Sequence, residues 1–181
     1  MVPLTHEDTT MRLYHFTSLG HLPVILATGG LWRGEVPIKD GIQSLRGTWL
    51  TTDPDPKGHG LTGSSANKRE VRIAVDIDDA SPDLHHWLSF TNTRGGYLKP
   101  HLVRRLVRTG GGHVKADTWY VYSVQVPPEA FAAIELSQGN GVYVPATPEQ
   151  IAAAKAHQGL HDAVVADFEE MRAKPPANRA A

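Results

Sequence analysis

The sequence predicts an α+β fold: a single domain with a mainly antiparallel sheet and flanking helices. Three observations predict it. Strand-like segments recur along the chain, the cleanest being residues 70–77, where Val71, Ile73, Val75 and Ile77 share one face and mostly charged residues the other. Helical patterns are scattered among them and separated by long loops. The length, 181 residues, suits one domain with a real core.

Taken in order, residues 1–11 are polar and read as a flexible N-terminus, and 12–173 read as the folded domain. Residues 13–17 form a short apolar strand whose polar exceptions, His15 and Thr17, are two apart and therefore point to one face. A buried helix follows, with Pro23 in its first turn, Leu22, Ile25 and Leu26 as its apolar stripe, and Gly29-Gly30 as its end. Residues 32–47, punctuated by Gly34, Pro37, Gly41 and Gly47, read as a long loop of the kind that binds or covers ligands. Residues 47–52 then read as a strand, ended by Pro54 and Pro56.

After the strand at 70–77, residues 84–88 read as a helical turn. Residues 97–108 read as a helix, with Leu98, Leu102, Val103 and Leu106 on one side and most of the arginines on the other. Gly110, Gly111 and Gly112 stop it. A strong strand is expected over 118–126, closed by Pro127 and Pro128, then one short helical turn over 129–134 and a last strand over 141–144. Thr147, Pro148 and Gln150 form a helix-start pattern. Helices over 151–157 and 162–173 follow, and the Pro- and Ala-rich segment 174–181 reads as a disordered tail.

Composition removes several function classes. The chain has no cysteine, which excludes disulfides, thiolate metal sites and a cysteine nucleophile. No apolar run approaches the roughly 18 residues of a membrane helix, and the first residues carry neither a basic region nor an apolar core. The expectation is a cytoplasmic protein with no membrane partner. The net charge of −1 gives no global attraction to nucleic acid. Locally, Lys99, Arg104, Arg105, Arg108 and Lys115 form a basic region that reads either as a solvated helix face or as a surface for nucleic-acid phosphates.

Among the ten histidines, His85 and His86 are adjacent and point apart, and Gly159 separates His157 from His161, so no metal is expected. There is no GxSxG elbow, no Walker A sequence and no GxGxxG. What remains is a pattern across three strands: His15 and Thr17 on the first, Gly47, Thr48 and Trp49 opening the second, and residues 115–118 opening the third.

Tyr14, His15, Phe16 and Thr17, followed by residues 22–26 and by Gly29, Gly30 and Leu31, resemble the opening of DarT-type ADP-ribosyltransferases. More distantly, they resemble the His-Tyr-Glu class of that superfamily. Residues 47–50 are similar to its second motif, where a glycine precedes an aromatic that stacks on nicotinamide; here the aromatic is Trp49. Residues 115–122, with Val126 to Pro128 after them, are similar to the third motif, whose glutamate is replaced here by Asp117, one methylene shorter.

The resemblance implies an ADP-ribosyltransferase-like fold that binds NAD in a cleft beside the first strand. It implies transfer of ADP-ribose, a glycosyl transfer of the toxin-like kind, to a nucleic acid or protein acceptor. His15 and Thr17 then contact the nicotinamide ribose and amide, and Leu31, Thr48 and Trp49 complete the NAD site. Asp117, with Glu70 as the substitute carboxylate, stabilises the cationic sugar or activates the acceptor. Arg46 or Arg33 neutralises pyrophosphate.

Each residue also has an ordinary role: Trp49 as core, Asp117 as a turn cap, Glu70 as a solvated strand end, Arg46 as a surface cation. Two further readings use the same fold. One is an RNA 2′-phosphotransferase-like enzyme with RNA on the basic region. The other is a non-catalytic module that binds a nucleotide or a partner.

Overall fold

The computed structural model describes residues 9–32, 34–39, 43–63, 66–93 and 100–156, with the side chains of 34–46 and a few others outside that description. Its centre is the pair of strands β1 (Thr10–Thr17) and β4 (Val71–Asp78). Met11, Leu13, His15 and Thr17 lie opposite Ile77, Val75, Ile73 and Val71, so the apolar alternation of both strands falls on one face. Around them lie β2 (Gly34–Lys39), β3 (Gln43–Thr51), β5 (Leu84–His86), β6 (Trp119–Tyr122), β7 (Phe131–Gly139) and β8 (Val142–Pro145). Seven strands run in the order β5-β6-β3-β1-β4-β7-β8, all antiparallel, and among the described residues β2 pairs with β3 alone. The expectation of an α+β fold with a mainly antiparallel sheet holds.

Two cores form on the sheet. Leu13, Leu50, Val71, Ile73 and Val75 pack beneath helix α1 (Leu22–Ala27), which supplies Leu22 and Ile25; Ala154 of α5 (Pro148–Ala156) packs against the same cluster. The second core joins Trp119 and Val121 of β6 to Trp87 and Phe90 of α2 (Trp87–Thr93). It also takes Val107 of α3 (Pro100–Thr109) and Ala116 of α4 (His113–Ala116). Trp87 is fully buried, so its truncation to alanine should cost about 3–5 kcal/mol.

The feature that makes the site is a split in the sheet. β1 pairs with β4 along its whole length but with β3 only at Tyr14 opposite Thr51. Beyond that point β3 follows β6, pairing Thr48 to Thr51 with Tyr122 to Trp119, and the two strands part.

Several elements differ from the sequence expectation. Thr10 and Met11, expected in a flexible terminus, belong to β1, where Met11 packs on the core. The expected loop over 32–47 is largely the β2–β3 hairpin; Pro37 is tolerated because β2 is an edge strand that pairs on one side only. The turn expected over 84–88 is β5 followed by α2, because residues 84–86 complete a ladder with β6.

The strand expected over 118–126 stops at Tyr122. Ser123 donates its N–H to the Asp83 carbonyl, and Val126 exchanges hydrogen bonds with Leu31 instead. Lys115 and Ala116 do not open that strand but form the end of α4, with Asp117 as its C-cap. The segment after Pro128, expected as a helical turn to residue 134, is a 3₁₀ turn over Pro128–Ala130 and then β7, which pairs with β4. The expected termini 1–8 and 174–181 and the helix over 162–173 lie outside the described residues, as do Arg33 and Lys99. No helix among the described residues is long and apolar enough to cross a membrane.

Candidate functional site: a cleft at the sheet split

A cavity of about 480 Å³ opens where β1 and β3 part. Consecutive residues of each strand line it: Tyr14, His15 and Phe16 on one side, Gly47 to Thr51 on the other. Successive residues of a paired strand point to opposite faces, so three neighbours reach one cavity only because it sits at the strand edges. The volume falls within the roughly 300–1,000 Å³ of small-molecule sites.

His15 bridges the split. Its Nδ1–H donates to the Trp49 carbonyl at 2.9 Å. A carbonyl can only accept, so Nδ1 carries the hydrogen and Nε2 the lone pair. Burial, which outweighs that hydrogen bond, and the charge of Lys68 lower its pKa from 6.5 to about 4. The imidazole is therefore neutral at physiological pH, with Nε2 available as an acceptor for a ligand hydroxyl or N–H.

Trp49 is half-buried and serves both as core and as wall. Its ring packs on Trp87 at 4.6 Å between centroids and meets Trp119 edge-on at 6.2 Å, while the residue lines the cavity. Thr48 is 1% exposed and lines the cavity as well, its hydroxyl 3.4 Å from the carbonyls of Leu31 and Trp32.

The opposite wall comes from the loop after β3. His59 has φ of 57°, the left-handed region that a non-glycine residue adopts only when held there. Its backbone N–H and both ring nitrogens are held. Its N–H donates to Gly110 O at 2.8 Å and its Nε2–H to Asp55 O at 3.0 Å, while its Nδ1 accepts from the Trp119 indole at 2.8 Å. Its ring stacks on Phe16 at 5.9 Å.

Burial, then the nearby Lys115 charge, push the His59 pKa below its ordinary value. The Lys115 ammonium is itself bound to the Asp53 carboxylate. Burial alone would raise the Asp53 carboxyl, but Lys115 and the Asp55 N–H hold it below its ordinary value. Arg72, pinned by Glu135 at 2.6 Å, reaches Pro54 O at 2.9 Å and ties the start of the loop to the sheet.

The residues named by the sequence divide clearly. His15, Thr48 and Trp49 meet in the cavity. Thr17, 4% exposed, and Leu31, 1% exposed, are buried residues away from its lining; Leu31 forms the bridge to Val126. Glu70 accepts the Leu19 N–H at 2.9 Å and so closes the turn after β1. The Asp117 side chain is 74% exposed, 3.7 Å from His86, and is not part of the lining. Arg46 lies on β3 opposite Glu35, with its side chain outside the described residues.

Sequence reasoning missed His59, Trp119 and Lys68. Glycines on both sides of His59 are a signal of an unusual backbone there. Nothing local marks Lys68, whose place follows from where the loop before β4 runs. Among the described residues, no carboxylate lines the cavity and no cluster of His, Asp and Glu is arranged to hold a metal ion. Of the basic region, Arg104, Arg105 and Arg108 are exposed on α3, whose Leu106 and Thr109 reach the cavity; Lys115 is engaged with Asp53. Comparison of the chain with protein-family models, curated proteins and solved structures finds no match.

Proposed function

We propose that the protein is an ADP-ribosyltransferase that binds NAD in the cleft between β1 and β3 and transfers ADP-ribose to a nucleic acid or protein acceptor. The observation that carries this reading is the meeting of His15 with Thr48 and Trp49, from separate sequence segments, in one cavity beside the first strand. The neutral His15 ring offers Nε2 to a ribose hydroxyl. Trp49, Trp119 and Phe16 supply aromatic surface for a flat ring.

In the reaction, a nucleophilic atom of the acceptor forms a bond to the ribose carbon that carries nicotinamide. The carbon–nitrogen bond breaks, nicotinamide leaves with the bonding pair, and the acceptor's proton passes to a base. The outward-facing Asp117 and the turn-closing Glu70 stand apart from the described lining, so the acceptor chemistry matters.

The absence of a carboxylate from that lining favours a second reading, an RNA 2′-phosphotransferase-like enzyme. A phosphate nucleophile is already an anion and needs no base to remove a proton. The exposed arginines of α3, next to cavity residues Leu106 and Thr109, suit a phosphodiester chain.

Incubation with labelled NAD and with DNA, RNA, 2′-phosphorylated RNA or lysate protein tests both readings. The expected result is nicotinamide release with label on one acceptor. Label or phosphate transfer confined to the 2′-phosphorylated RNA selects the second reading, and no nicotinamide release with any acceptor overturns both.

A further inference from the structure

Among the described residues, Lys68 is a cation with no carboxylate paired to it. Arg12, Arg72 and Lys115 each hold a carboxylate, from Asp76, Glu135 and Asp53 respectively. Lys68 is half-buried and lines the cavity, yet no carboxylate lies within ion-pair distance of it among the described residues. Arg69, the neighbouring half-buried cation, also has no carboxylate partner among the described residues, but it is not in the described lining.

The rest of the described lining carries no charge that balances Lys68. It consists of aromatic and aliphatic side chains, hydroxyls and two histidines held neutral, His15 and His59. Lys68 adds to burial in lowering the pKa of His15, which lines the cavity, and of His21 in the turn after β1. A half-buried lysine in the lining of a largely aromatic and aliphatic cavity, with no carboxylate paired to it among the described residues, favours an anion arriving from outside.

We propose that Lys68 is the anion anchor of the cleft and binds a phosphoryl or pyrophosphoryl group of the ligand, whose flat ring lies among Trp49, Trp119 and Phe16. The assignment rests on the cleft being the ligand site proposed above, and it adds the residue that holds the ligand's phosphates. A cationic acceptor side chain is disfavoured there, because it meets Lys68 with no carboxylate on the described walls to offset it.

The test measures affinities of inorganic pyrophosphate, NAD and adenosine for the wild-type chain, Lys68→Met and Lys57→Met. Lys57 is an exposed lysine that does not line the cavity, so its substitution removes the same charge elsewhere. The expected result is binding of pyrophosphate and NAD weakened at least about tenfold by Lys68→Met, unchanged by Lys57→Met, and restored in large part by Lys68→Arg. Adenosine binding should be equal in all variants.

Pyrophosphate binding that depends on Lys68 alongside undetectable NAD binding supports the anchor and overturns the NAD reading. NAD binding that Lys68→Met leaves unchanged supports the NAD reading and overturns the anchor. No pyrophosphate binding to the wild-type chain overturns the anchor as well. An unfolding midpoint for Lys68→Met equal to that of Lys57→Met shows that the loss is one of binding and not of folding.

Discussion

At the split in the sheet, the Trp49 carbonyl takes its hydrogen from His15, so the imidazole carries out a task that elsewhere falls to a neighbouring strand. This has a consequence for stability. The His15 pKa is 6.5 when unfolded and about 4 when folded, so between these values the unfolded chain binds the proton and the folded chain does not. The stability His15 contributes is complete above pH 6.5 and is lost as pH falls toward 4, amounting to roughly 3 kcal/mol. Chemical denaturation of wild type and His15→Gln at pH 7.5 and pH 4.5 checks this. The wild type should lose about 2–3 kcal/mol more than the variant over that interval; equal losses would contradict the assignment. Removing the indole donor with Trp119→Phe should cost about 1–3 kcal/mol, because His59 Nδ1 is left buried without its partner.

At the scale of elements, two glycines set how closely the pieces of the site approach. A Cβ on Gly110 would stand 2.1 Å from the Trp119 ring, and one on Gly30 would stand 2.3 Å from the Val126 carbonyl. Gly110→Ala should therefore displace Trp119 from the cavity wall and destabilise the chain by about 1–3 kcal/mol. Denaturant unfolding and tryptophan fluorescence would report both effects, and an unshifted spectrum at full stability would contradict the packing.

The elements also show what a sequence can and cannot reveal. β4 was legible because its alternation is decided locally, residue by residue. β7 was not, since Ala132, Ala133, Glu135 and Leu136 favour helix by intrinsic preference and only pairing with β4 makes them a strand. The β2–β3 hairpin was hidden by Pro37 and its glycines, which mark loops unless the strand is an edge. Asp117 was placed at a strand start because Thr118 to Val126 reads as one run; the helical turn of α4 in front of it turns its side chain to solvent.

For the molecule as a whole, antiparallel character was readable from strand patterns, and the cavity partners His15, Thr48 and Trp49 were named together through the family resemblance of their motifs. The split between β1 and β3 was not readable. It follows from β3 pairing with β6 where β1 continues along β4, which is a property of strand order and of no single segment. The far wall, with His59, Trp119 and Lys68, depends on the loop after β3 being strapped by Arg72, Lys115 and Gly110. Those straps join residues far apart in the chain, so their effect appears only in three dimensions.

The central claim is that this split is the NAD site, and backbone amide NMR during an NAD titration tests it most directly. Shifts should concentrate at residues 14–16 and 47–51, at Lys68 and His59, and at the Trp119 indole, leaving β8 unmoved. No shifts at millimolar NAD, or shifts confined to the β7–β8 edge, would contradict the claim.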